Sequence, residues 1–128
     1  MVDTEGLVIK AKVHSASVPD QDGLSLLLQS ARSGLSCLKH LWLDAGCEGR
    51  GKRWAEEWAK EGRRIDWQRL MPPRGYVALP RRWVVERTFS WISQNRRMSK
   101  DYERLCASAE AFLYAAMIRL MVSRLARA

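Results

Sequence analysis

The sequence predicts an α/β domain with a short, incomplete sheet and a helical C-terminal third, on three observations. Apolar runs of strand length or strand period alternate with stretches of helical period along most of the chain. Residues 108–124 are so densely apolar, with Phe112, Leu113, Ala116, Met117, Leu120 and Met121, that a largely buried helix is expected there. A turn sequence, Asp3-Thr4-Glu5-Gly6, stands so near the start that only Met1 and Val2 precede it to supply the pairing strand. The expectation is one domain over 1–128 that begins partway through a larger one.

The elements follow in order. Ile9, Ala11 and Val13 alternate with Lys10, Lys12 and His14, the period of a half-buried strand. The stretch 17–23, SVPDQDG, reads as a loop, and 24–38 as a helix weakened by Gly34 near its end. His40 to Leu43 is a short apolar run of strand type that Asp44 closes, and Gly46, Gly49 and Gly51 punctuate a loop after it. A helix over 52–61 carries Trp54 and Trp58 on one side; at that spacing they read as core. A further strand is expected in 64–70, and the β-prone YVAL at 76–79 leads to Pro80, well placed beside a helix start. From near Arg81 the helical period returns, with Val85, Phe89 and Ile92 as its apolar stripe and Val84 and Trp91 widening it.

Composition narrows the function classes. The chain has 128 residues, 47% of them apolar, enough for a true core, and a formal net charge of +8. That charge points to a polyanionic partner, nucleic acid before an anionic membrane. Cys37, Cys47 and Cys106 are odd in number and show no metal-type or disulfide-type spacing. The acidic start gives no secretory leader, and the most apolar run, 111–118, is short of a bilayer span. A cytoplasmic protein without a membrane partner is expected.

The segment 80–100, PRRWVVERTFSWISQNRRMSK, concentrates six basic residues, Arg81, Arg82, Arg87, Arg96, Arg97 and Lys100, around the single carboxylate Glu86. On one continuous helix, Arg82, Glu86, Ser90, Ser93 and Arg97 would share a polar face. Two readings are open. Glu86 is either one half of a solvated Arg–Glu pair, or a ligand for a hard cation whose surrounding arginines hold a phosphodiester backbone. Asp44 is open in the same way. It either caps a loop or sits functionally, because ligands collect beyond the carboxyl ends of strands in α/β sheets. His14, Asp20 and Asp22 read as ordinary surface or turn residues, and the tryptophans Trp54, Trp58, Trp83 and Trp91 as core more than as base-stacking platforms.

LWLDAGCEG at 41–49 and GYVALPRRWVVERTFSWISQNRRMSKDYERLCASAEAFLYAAMIRLMVSRLA at 75–126 together resemble the C-terminal part of bacterial insertion-sequence transposases of the DDE type, in the fourth and fifth insertion-sequence groupings. VDTEGLVIKAKVHSASVPDQDG at 2–23 is similar to the strand pair and loop that precede it there. The resemblance implies an RNase H-like fold, here partial, with three acids that bind magnesium (or manganese in its place) for cleavage at transposon ends and strand transfer into target DNA. Asp44 matches the second acid and Glu86 the third. The family's Y-x2-R-x3-E-x6-K pattern falls on Leu79, Arg82, Glu86 and Ser93, so its tyrosine and lysine are replaced, and Arg97 is a candidate for the missing charge. The first acid is expected on a strand ahead of the VDT segment; Asp3 belongs to the turn and is not that residue.

The resulting expectation is a nucleoid-associated protein with double-stranded DNA as partner, at transposon ends and target, and inactive alone for want of the first acid. It would be the second frame of a split enzyme, joined by an upstream-frame product or an intact transposase, or a remnant. The alternative is a non-catalytic, basic DNA-binding module.

Overall fold

A computed structural model describes residues 1–44, 48–62, 65–70 and 82–127. The chain forms two compact units, Ala16–Leu79 and Met1–Ser15 with Pro80–Ala128.

The first unit is built on a β-α-β crossover. Strand β1, His40–Asp44, pairs in parallel with β2, Asp66–Leu70, in register from His40 opposite Asp66 to Asp44 opposite Leu70. Parallel neighbours need a long crossover. Here it holds one helix, which we number α2, Glu48–Lys60; α1, Asp20–Ala31, precedes the sheet. Leu41 and Leu43 alternate into the core, α2 lays Gly51 against Leu43, and Trp54 and Trp58 of α2 are buried. Leu28 of α1 and Trp58 are each only 1% exposed and form its centre. The two tryptophan rings lie 4.3 Å apart, as the helical spacing predicts.

Two boundaries differ from the sequence expectation. Helix α1 starts four residues early, at Asp20, where the carbonyl of Pro19 accepts the amides of Asp22 (2.9 Å) and Gly23 (3.1 Å). It ends at Ala31, and Arg32–Gly34 tighten into a 3₁₀ turn. Helix α2 takes in Gly49 and Gly51, which read as loop residues. At Gly51 tertiary packing overrides the poor propensity: a Cβ there would collide with the Leu43 side chain, so the missing side chain lets the helix lie against β1, while Gly49 faces open space.

The second unit combines an N-terminal turn with two helices, α3, Arg82–Ser93, and α4, Cys106–Leu125. The turn forms as its residues suggest. Asp3 accepts the amides of Glu5 (2.9 Å) and Leu7 (2.8 Å) on its carboxylate, Gly6 has φ of +83°, and Val2 makes an isolated antiparallel bridge with Val8. Beyond it the expected strand at 9–13 does not form. The amide of Ala11 donates to the Tyr114 hydroxyl (2.9 Å) and that of Val13 to Glu110 Oε1 (2.9 Å), so side chains of α4 satisfy groups that a neighbouring strand would otherwise bond. Ile9, assigned to the inward face, is 43% exposed.

Helix α3 buries Val84 and Ile92, both expected on its apolar face, together with Thr88; Val85 and Phe89, expected to be buried with them, are exposed. The inward stripe is therefore rotated by about one residue and has a threonine at its middle. Helix α4 continues through Arg119 to Leu125, 20 residues in all, and its length and composition would fit a membrane span. It is also far more exposed than its composition suggests, with only Ala116 and Met117 buried. The observed α/β elements and parallel pair are compatible with an RNase H-like fold. The β-prone run at 76–79 lies outside the described residues.

Candidate functional site

Asp44 is the last residue of β1, beside Leu70 at the end of β2, so it stands at the carboxyl edge of a parallel pair. That edge is where α/β sheets gather ligands, because backbone groups and loops converge there. The side chains of Asp44 and Arg82, and the whole of Leu79 and Arg81, lie outside the described residues. Glu86 is in the second turn of α3 and exposed. Phe89, one turn further, is 65% exposed, and Trp83, one turn earlier, 49% exposed. The carboxylate thus lies on a helix surface with large aromatic rings a turn away on either side.

Arg87 is held within its own unit. Its guanidinium lies over the rings of Trp83 (4.3 Å) and Trp91 (4.9 Å), and its Nη2 donates to the Glu5 carbonyl (2.8 Å). Arg124 from α4 covers Trp91 in turn, at 4.2 Å. This alternating stack of rings and cations joins the N-terminal turn, α3 and α4. Each contact contributes about 0.5–2 kcal/mol, according to its exposure.

The polar face drawn from Arg82 to Arg97 on one helix is interrupted. Helix α3 stops at Ser93, and Asn95 closes it, its Nδ2 donating to the carbonyls of Trp91 (3.3 Å) and Ile92 (3.1 Å). Arg96 and Arg97 then sit in a 3₁₀ turn, Arg96–Met98, so Arg97 does not continue the Glu86–Ser93 face. Arg97 instead pairs with Glu103 and lies over the Phe112 ring at 4.6 Å. Arg96 and Lys100 are exposed.

This turn and α4 form an open pocket of about 310 Å³, lined by Asn95, Arg96, Arg97, Met98, Phe112 and Arg119, among others. Arg119 donates to Asn95 Oδ1 (3.3 Å). The residue reading of the sequence did not single out Arg119 or Phe112 as functional. The one signal for them was Arg119 itself, a cation interrupting an apolar run.

Lys12 bonds Glu110 at 2.8 Å and holds its carboxyl below the ordinary range, while the same contact raises the Lys12 ammonium. Among the described residues no three His, Cys, Asp or Glu side chains gather closely enough to hold a metal ion. By donor chemistry, Asp44 and Glu86 offer the hard carboxylate oxygens that magnesium prefers.

No curated protein and no solved structure matches the chain at a significant level. A family model described as the transposase DDE domain matches residues 1–121. That match covers both units, the carboxyl edge of β1 and the basic segment that follows α3. The chain belongs to the DDE-domain transposase family.

Proposed function

We propose that this chain supplies Asp44 and Glu86 as the second and third acids of a DDE site acting on double-stranded DNA at transposon ends and target. Support comes from the family match, from the place of Asp44 at the carboxyl end of β1, and from Glu86 on an exposed helix surface of a strongly basic chain. A magnesium or manganese ion held by the two carboxylates would activate an attacking oxygen and stabilise a leaving one at phosphorus. The protein's own part is to present two carboxylates from different elements and to hold the DNA backbone with cations. Arg96 and Lys100 are exposed and have the charge for phosphate contacts, and Arg81, Arg82 and Arg97 complete the basic segment. Arg87 serves by fixing α3 through its stack on Trp83 and Trp91.

The resemblance assigns these 128 residues two acids of the three, so the polypeptide alone is expected to cleave or join DNA slowly or not at all. The remaining acid of the site would come from outside these 128 residues. The single observation carrying the proposal is the family match across both acids.

The test is whether Asp44 and Glu86 share a cation. Iron(II) substituted for magnesium, with ascorbate and peroxide, cuts a polypeptide near the bound metal. Cuts are expected beside both Asp44 and Glu86, and Glu86→Gln should abolish the pair together. Cuts that ignore Glu86→Gln and Asp44→Asn, with DNA binding intact, would leave a basic DNA-binding module in place of a catalytic one.

A further inference from the structure

The pocket between the 3₁₀ turn and α4 has a distribution of charge and apolar surface that defines a ligand. Three guanidiniums reach it. Arg97 is neutralised by Glu103 and lies over Phe112 at 4.6 Å, so cation and ring are layered on one side of the pocket. Arg119 bonds the neutral amide oxygen of Asn95, and Arg96 meets no carboxylate among the described residues. Among the described residues, two cations without a carboxylate partner therefore border a floor made of Met98, Phe112 and the alanine face of α4. A bare inorganic anion would satisfy the cations and leave the floor wet; an apolar ligand would leave the cations unmatched. The complementary shape is anionic at one end and flat at the other.

We propose that this pocket binds a single nucleotide, its phosphate against Arg96 and Arg119 and its base against the Arg97–Phe112 side. Guanidinium planes and aromatic rings both stack bases, and guanidiniums grip phosphate oxygens in pairs. A volume of about 310 Å³ is at the lower end of small-ligand sites and fits one such unit rather than a helical segment. Identifying the nucleotide as part of a DNA strand, unpaired or terminal, rests on the transposase reading; the nucleotide chemistry itself does not.

The test uses the whole chain at low salt, titrated calorimetrically with dAMP, deoxyadenosine and inorganic phosphate. Binding of dAMP about tenfold tighter than either fragment is expected, since base stacking and phosphate contact each contribute. Arg96→Gln and Arg119→Gln should each weaken dAMP about tenfold with an unchanged thermal melt, because both side chains are exposed. Phe112→Leu should narrow the gap between dAMP and phosphate.

A second arm compares a blunt duplex with one carrying an unpaired nucleotide. Tighter binding of the latter, abolished in Arg119→Gln, identifies the strand as the source; indifference to it, with dAMP still bound, identifies free nucleotide. Equal affinity for dAMP and phosphate, no binding of dAMP, or variants without effect overturns the proposal. The titrations are run in EDTA, where no cation can occupy the Asp44–Glu86 site, so the pocket and the metal site fail independently.

Discussion

The hydroxyl of Thr88 donates to the carbonyl oxygen of Gly6 at 2.6 Å, a hydrogen bond between residues 82 apart in the chain. The same hydroxyl lies 3.0 Å from the carbonyl of Val84, and Thr88 is only 3% exposed. The N-terminal turn is thereby fixed to the helix that carries Glu86.

Removing that hydroxyl should loosen the unit. Thr88→Val keeps the shape and leaves the buried Gly6 carbonyl without its donor, at a cost of about 1–3 kcal/mol. Gly6→Ala should be comparably harmful, because its φ is +83° and the new Cβ would stand 2.9 Å from Thr88 Oγ1. Urea denaturation followed by tryptophan fluorescence measures both; a midpoint unchanged in both variants would contradict this role.

Stability should also respond to pH through Lys12 and Glu110. The Glu110 carboxyl is lowered by its bond to Lys12, so its contribution is present above the unfolded value of about 4.3 and is lost as pH falls through the lower folded value. The Lys12 ammonium is raised by the same bond, so its contribution is present below about 10.4 and is lost as pH rises through the higher folded value. Melts across pH should show both declines, and Glu110→Gln should flatten the acidic one. An acid limb identical in that variant would place the effect elsewhere.

Arg87→Lys should not be a silent exchange. An ammonium cannot lie flat between Trp83 and Trp91 while reaching the Glu5 carbonyl, so a loss of about 0.5–2 kcal/mol is expected. The indole fluorescence of the stack should shift together with the melt.

Affinity for duplex DNA should fall steeply with salt. Neutralising Arg96 or Lys100 should reduce the slope of log affinity against log salt by about 0.9 for each phosphate that the variant no longer holds. Arg87→Gln should change that slope less, since its guanidinium is already engaged by two rings and a carbonyl. Slopes for Arg96 and Lys100 variants equal to that of the unsubstituted chain would mean that these side chains do not touch phosphate.

Much of the local order is legible in the residues. The turn at Asp3–Gly6, the strand from His40 to Asp44 and the paired tryptophans of α2 follow from side-chain chemistry within a few positions. The resemblance that placed Asp44 and Glu86 likewise rested on contiguous sequence. Side chains from afar decided the rest. Tyr114 and Glu110 bond the amides that Ala11 and Val13 would have offered to a strand, and Asn95 ends α3 before Arg97 can join its face.

By itself, then, the sequence determined the charge, the helical and strand periods, and the family. Only the tertiary structure decided which face of α3 turns inward, because the partner of Thr88, the Gly6 carbonyl, lies 82 residues away, where no local period records it. It alone brought Arg96, Arg97 and Arg119 around one pocket. Periodicity is a property of neighbours on one element, whereas a site is made where elements meet, and the contacts that join them have no local signature.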